Sequence, residues 1–173
     1  MKSTIIWNGE ELEMKWFPTK DISKLDKELI TQVYGILFDE ENKICIVAPS
    51  EKRGWRLPGG KPEKEDNDDW KETLIREADE EADIDLDKDS LTLLGYIKVT
   101  PLSKSSQVKT HYLLRTTGKI TKVKRQTIDP AEGLINERLF VSPRDFSKYC
   151  PWGEIGNEVV RKAMKEMKVK EKD

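Results

Sequence analysis

Residues 57–84 read LPGGKPEKEDNDDWKETLIREADEEADI, and the spacing of apolar residues changes within this stretch. Up to Gly60 it reads as the end of a short strand, Trp55 to Leu57, running into Pro58-Gly59-Gly60. From Asp69 the period becomes helical: Trp70, Leu74, Ala78 and Ala82 recur at four-residue spacing with Ile75 alongside, which builds one apolar face. Asp68 or Asp69 is placed to cap the helix, and acids near its start suit the positive end of the dipole. The Gly-Gly pair permits backbone dihedrals that other residues resist, and lets the main chain approach a ligand or ion closely.

Working outward, Thr4 to Phe17 reads as a hairpin turning at Asn8-Gly9, with Leu12, Met14 and Trp16 alternating on the return strand. Asp21 to Leu29 is assigned a short helix. Strands are expected over Ile30 to Phe38 and Ile44 to Ala48, joined by the polar turn Asp39 to Lys43. Beyond the central helix, Leu91 to Val99, Val108 to Thr117 and Glu137 to Val141 read as strands, and residues 118–136 as an irregular loop over the site. After Pro151, the spacing of Ile155, Val159, Val160, Ala163, Met164 and Met167 gives a second amphipathic helix. Each helix needs a sheet face for its apolar stripe, so the economical α+β solution is a mixed sheet with a helix on each side. The chain divides into an N-terminal hairpin and lead-in, 1–29, and a domain over 30–173.

Composition narrows the classes. Lys plus Arg is 31 against 33 for Asp plus Glu, a net charge of -2, which argues against a dedicated duplex-DNA binder. No window approaches the roughly 20 apolar residues of a membrane span. Cys45 and Cys150 match no close-spaced metal or redox pattern; Cys45 lies between Ile44 and Ile46 and reads as a buried small hydrophobe. A soluble protein in a reduced, cytoplasmic setting is expected. The single histidine, His111, cannot make a zinc site by itself and reads as a strand residue with room for a proton role.

On the central helix, Glu77, Glu80 and Glu81 form a wedge beside the apolar face. Carboxylates so close repel, and a divalent cation reverses the sign; hard oxygen ligands suit Mg²⁺ or Mn²⁺. The plain alternative is a solvated acidic face paired by Lys71 and Arg76. Glu72, Asp79 and Asp83 read as surface.

Leu57-Pro58-Gly59-Gly60-Lys61-Pro62-Glu63 together with Arg76-Glu77-Ala78-Asp79-Glu80-Glu81-Ala82-Asp83-Ile84 resembles the Nudix box of the Nudix (MutT-like) hydrolases. The resemblance implies an α/β/α sandwich that hydrolyses the diphosphate link of a nucleoside diphosphate joined to a further group, using metal-activated water. It implies that Gly60 is the opening glycine and that Glu77, Glu80 and Glu81, with Gly60, hold Mg²⁺ (or Mn²⁺). Arg76 would orient the glutamates, and Glu77 and Glu81, with Arg76, form the catalytic set. Glu63 matches a commonly present acid, and Glu77 is the ligand placed to serve as base, with Glu132 and Glu137 as alternatives from later loops. Three departures stand out. The spacing from Gly60 to Arg76 is two residues longer than the motif's, so the box is lengthened near Lys64 to Asp69. Asp66 or Asp68 replaces the first motif glutamate. Asp83 stands where glycine is expected, and Ala78 where a larger aliphatic is usual; Asp tolerates the left-handed conformation that such a turn needs.

For the substrate, a small-molecule nucleotide, Arg53 and Arg56 flank Trp55: the arginines suit phosphate and the indole suits a base, although alternation puts Trp55 and Arg56 on opposite faces. Gly59 and Gly60 bring main chain to the same place. Tyr34 and Tyr112 frame a base pocket or simply pack. The hairpin aromatics Trp7, Trp16 and Phe17 cover a sheet edge, contribute to a nucleotide pocket, or form a homodimer contact. A domain that holds a nucleotide or RNA without hydrolysing it is the reading in a different class. The Lys-rich tail, Lys162 to Lys172, is its main support, although Glu166 and Glu171 interrupt it.

Overall fold

The structure, a computed structural model, describes residues 1–49, 54–131 and 133–169. Among these the chain forms β1 (Lys2–Trp7), β2 (Glu10–Pro18), β3 (Ile30–Phe38), β4 (Ile44–Ala48), β5 (Gly59–Gly60), α1 (Trp70–Ala82), β6 (Ile84–Leu86), β7 (Thr92–Pro101), β8 (His111–Val123), β9 (Glu137–Val141), α2 (Phe146–Tyr149) and α3 (Gly153–Met167). The main sheet runs β1-β2-β7-β8-β3-β4-β9, with β5 beside β3 and β6 beside the end of β8. Strands β3 and β8 are parallel and the other neighbours antiparallel. This mixed sheet lies between helices, an α/β/α sandwich.

Alternation along the central strands sorts the core into two layers. Val33, Leu37, Cys45, Val47 and Leu114 meet Leu74, Ala78 and Ala82 of α1. Ile36, Ile44, Ile46 and Ile97 meet Ile155, Val159 and Ala163 of α3 on the opposite face. Both layers are needed because β3 and β4 are apolar at nearly every position. Cys45 and Cys150 are free and buried, and burial pushes each thiol up to about 12, so neither is a nucleophile at neutral pH.

The hairpin forms as read, with positive φ at both Asn8 and Gly9. Through β2 it continues the sheet: Leu12 pairs with Pro101 and Pro18 with Gly95, and Leu12 and Trp16 enter the core. The lead-in differs from expectation. Asp21 to Leu29 holds a single 3-10 turn, Lys27–Leu29, with no buried residue, since no apolar face there extends over enough turns to dock a helix. The strand expected over Trp55 to Leu57 is reduced to one bridge, Val47 to Arg56. Residues 118–123 are strand rather than loop: β8 runs to Val123 and pairs with β6. That stretch is mostly polar, with Ile120 its one buried large side chain, so hydrophobic alternation does not announce it. Among the described residues no helix is long and apolar enough to cross a membrane.

The seam between β2 and β7 depends on Gly95. Its φ is +148°, and an added Cβ would lie 2.2 Å from the Phe17 carbonyl oxygen. Gly95→Ala is expected to destabilise the fold by about 1–3 kcal/mol, as for other strained backbone positions. Urea unfolding should show the loss, and amide exchange should accelerate in the hairpin before the rest of the sheet.

Candidate functional site

The site is built where β5 meets α1. Gly59 and Gly60 pair with Tyr34 and Val33 of β3, and the Gly35 N–H donates to the Pro58 carbonyl at 3.1 Å. Gly59 has φ +145°, and a Cβ there would sit 2.1 Å from the Val33 carbonyl oxygen. At Gly60 a Cβ would fall 2.3 Å from the Glu77 carboxyl carbon. One glycine is therefore required by the sheet and the other by the carboxylate beside it.

Glu81 is buried at this turn. Its Oε2 accepts the Gly59 N–H at 3.0 Å, and its Oε1 takes Arg56 Nη2 at 2.5 Å. Burial pushes its carboxyl up to about 7, against the opposing charge of Arg56 and the Gly59 hydrogen bond. Glu77, one turn earlier, is also raised by burial, against the pull of Arg76, whose Nη1 donates to Glu77 Oε1 at 2.9 Å. Glu80 lies 3.4 Å from the same Nη1 and is more exposed. The spacing suggested three carboxylates converging on one ion. In the structure two arginines hold them, Arg56 taking Glu81 and Arg76 taking both Glu77 and Glu80. Among the described residues no group of three or more His, Cys, Asp or Glu surrounds a common point.

Arg76 is itself held from the other side. Its Nε donates to Asp66 Oδ1 at 3.0 Å, and its Nη2 donates to Asp66 Oδ2 and to the Lys61 carbonyl, both at 2.9 Å. Asp66 also accepts from Thr73 Oγ1 and the Glu63 N–H. The sequence left Asp66 and Asp68 as equals; the structure separates them. Asp66 is buried, whereas Asp68 is exposed and 3.4 Å from Lys27. Asn67 and Asp68 both take positive φ, 53° and 57°, a tight reversal between Asp66 and the α1 cap. That cap is Asp69, whose side chain accepts the Lys71 N–H. Glu63 is only loosely associated, 3.8 Å from Arg76.

At the far end of α1, Asp83 adopts the left-handed conformation, with φ 48°, and is buried rather than surface. It accepts the Thr127 N–H at 2.9 Å and the Thr127 hydroxyl at 2.6 Å, which compensates for a non-glycine residue there. Arg138 of β9 donates to the Ala82 and Asp83 carbonyls, capping the helix end. The described part of the segment after β8 thus packs on the C-terminal end of α1.

Trp55 and Arg56 do face opposite ways. Trp55 packs with the α3-side core and lies edge-on to Tyr149 at 6.1 Å, while Arg56 reaches Glu81. Packing thus accounts for the indole. Arg53 and Glu132 lie outside the described residues. Glu137 is exposed at the start of β9. Trp16 is core, Phe17 stacks on Tyr96 at 5.0 Å, and Tyr112 lies edge-on to Tyr96; Trp7 remains exposed.

A buried cation behind the turn was not foreseen. The Arg115 guanidinium lies 5.0 Å from the Tyr34 ring and 5.6 Å from that of Trp152, donating to the Leu114 carbonyl. Burial brings its pKa down to about 10, so it stays charged between two π faces. Burial in turn raises the Tyr34 phenol, whose surroundings include Arg115, Glu81 and Arg56. Sequence alternation places Arg115 on the α3 side, but nothing local reveals its aromatic clamp.

A mixed sheet between two helices, with an acidic helix face laid against a glycine turn, defines the class of fold. The chain belongs to the NUDIX domain family, which matches residues 29–160. Among solved structures it is similar to a variant of the Bacillus subtilis pyrophosphohydrolase BsRppH, with 20% identity and a TM-score of 0.67 over 98% of this chain and 99% of that one. It is also similar to the NUDIX domain of Shewanella oneidensis NrtR complexed with ADP ribose, with 15% identity and a TM-score of 0.57 over 85% and 93%. The MutT protein of Bacillus halodurans matches with 16% identity and a TM-score of 0.55 over 76% and 80%. At these identities the likeness is one of fold. No curated protein sequence matches the chain.

The Asp66–Arg76 pair gives a direct test. Asp66 is held down to about 2, chiefly by its hydrogen bonds from Arg76. A depressed carboxyl stabilises the fold fully above its unfolded value of 3.8 and loses that contribution as pH falls from there toward about 2. Asp66→Ala is expected to cost about 2–3 kcal/mol near neutral pH, below the 3–5 kcal/mol of a fully buried pair because Arg76 retains other acceptors. The gap between parent and variant in denaturant unfolding should close on acidification through that window.

Proposed function

We propose that the protein hydrolyses a diphosphate linkage in a nucleoside diphosphate joined to a further group, in the manner of MutT-like enzymes. The observation that carries this reading is the placement of two carboxylates, buried Glu81 and half-buried Glu77, directly against Gly59-Gly60. Four carboxylates, Asp66, Glu77, Glu80 and Glu81, share two guanidinium groups, Arg56 and Arg76, so the site carries more negative charge than these arginines balance. A divalent cation answers that excess, and carboxylate and main-chain oxygens are the ligands Mg²⁺ or Mn²⁺ prefer. Glu77, Glu81 and the Gly60 carbonyl are the groups assigned to hold it, with Glu80 completing the acidic side. When bound, the cation supplies the acidity of the attacking water and offsets phosphate charge.

The chain's own residues do the rest. Arg76, fixed by Asp66, keeps the Glu77 and Glu80 carboxylates oriented. Glu77 Oε2, which has no donor among the described residues, accepts the proton of the attacking water. Arg56 serves as the counter-charge of Glu81 and would also present its guanidinium to phosphate. Gly59 and Gly60, bare of side chains, let the diphosphate approach. We assign the lengthening of the motif to the left-handed pair Asn67-Asp68, which leaves Asp66 in register as the partner of Arg76.

Phosphate release should be measured on a panel of nucleoside triphosphates, ADP-ribose, nucleotide sugars and dinucleoside polyphosphates, with Mg²⁺ and Mn²⁺. Activity is expected in the parent and a loss of at least about 100-fold in Glu81→Gln, which keeps the shape but removes the charge. A parent inert on every compound would replace this reading with that of a binding domain. Undiminished turnover in the variant would move the chemistry away from α1.

A further inference from the structure

On the face of the sheet opposite α3, the lead-in does not close over the core. A cavity of about 210 Å³ lies between the lead-in and the start of α1, with Val33 and Leu114 as its floor and Ile22, Leu25 and Trp70 as walls. Val33 and Leu114 are fully buried, whereas Ile22, Leu25 and Trp70 are left half-buried. The cause is local. The lead-in holds a single 3-10 turn with no buried residue, so its apolar side chains line the space without filling it. The volume decides the size of what fits. It lies below the range of about 300–1,000 Å³ usual for drug-sized ligands, yet an apolar cavity of about 150 Å³ holds a benzene ring.

The rim decides the chemistry. Lys27 Nζ and Asp68 Oδ2 stand 3.4 Å apart there, both largely exposed, and they are the only ionisable groups among the described residues that line the cavity. An ion pair so exposed contributes little and opens readily. A ligand with a carboxylate alone meets Lys27 but sets its charge beside Asp68. One with an ammonium alone meets Asp68 and is repelled by Lys27. A zwitterion satisfies both, carboxylate to Lys27 and ammonium to Asp68. An α-amino acid carries these two groups on one carbon and leaves its side chain free to enter the cavity. We propose that the cavity binds a free α-amino acid with a large apolar side chain, of which phenylalanine suits the volume. The site is built from two parts of the chain that the hydrolase reading leaves without a role. Ile22, Leu25 and Lys27 precede residue 29, where the family match begins, and Asp68 belongs to the left-handed pair assigned to the lengthening of the motif. The cavity also backs onto the acidic helix: Thr73, in its lining, donates its hydroxyl to Asp66 at 2.9 Å, and Asp66 holds Arg76.

Titration calorimetry with L-phenylalanine, phenylacetate and phenethylamine tests this. Phenylalanine is expected to bind at least about tenfold more tightly than either single-charge analogue, since each of those loses one ion pair and gains a repulsion. Lys27→Gln and Asp68→Asn each remove one rim charge at an exposed position, and Asn tolerates the left-handed backbone at 68, so both variants keep the fold, which circular dichroism checks. The preference should then change selectively. In Lys27→Gln phenethylamine is expected to bind at least as tightly as phenylalanine, and in Asp68→Asn phenylacetate is expected to do so. Phenylalanine binding that ignores both substitutions overturns the proposal, as does a parent that binds none of the three. Equal binding of all three by the parent overturns the amino-acid assignment. None of these readouts requires catalysis, so they stand or fall separately from the hydrolase reading.

Discussion

The main chain at Gly59-Gly60 approaches β3 on one side and Glu77 on the other so closely that no side chain fits between them. That close approach organises much of the molecule. It ties the loop before α1 to β3 in the sheet, whose face formed by Val33, Leu37 and Leu114 packs against α1. It also turns an acidic stripe, which on an isolated helix would face water, toward main chain that offers only N–H and C=O groups. The Gly59 N–H already holds Glu81. Burying a carboxylate is unfavourable without such partners, so the turn and the acids are one structural unit.

The second constraint is charge balance within that unit. Arg76 is the hub, facing Asp66, Glu77, Glu80 and the Lys61 carbonyl. One cation among several carboxylates cannot neutralise them all, and burial raises Glu77 even beside it. Arg56 likewise pairs with Glu81, which burial pushes up to about 7. A purely structural arrangement would gain by replacing one of these glutamates with a neutral residue. Their clustering at a turn open to the main chain is the feature on which the proposed cation-dependent phosphate chemistry rests.

How much of this was legible in the sequence depends on how local each signal is. The helix α1, its cap at Asp69, the hairpin turn at Asn8-Gly9 and the second long helix all rest on spacings within a few residues, and each forms. The lead-in had only weak periodicity and shrank to one 3-10 turn. The end of β8 was lost because it is an edge whose polar residues face water, with Ile120 as its single anchor. At the site, Glu77, Glu80 and Glu81 could be placed on one helix face, but their ion pairs could not. The Arg56–Glu81 contact spans 25 residues and depends on how a strand end meets a helix. Choosing between Asp66 and Asp68 required knowing that the chain reverses through two left-handed residues, a property of backbone geometry that Asn-Asp permits without demanding.

The residues that define the family and those that define this chain meet along β3. On its α1 side, Val33 belongs to the layer that seats the acidic helix; on its α3 side, Tyr34 faces the clamped Arg115 and a groove bordered by the hairpin. The hairpin reaches the same groove by extending the sheet through β7 and β8, a route that depends on pairing rather than on any motif. Tyr34 is braced by the Arg115 cation, with Trp152 on that cation's other side, so its ring is held between the groove and the carboxylates.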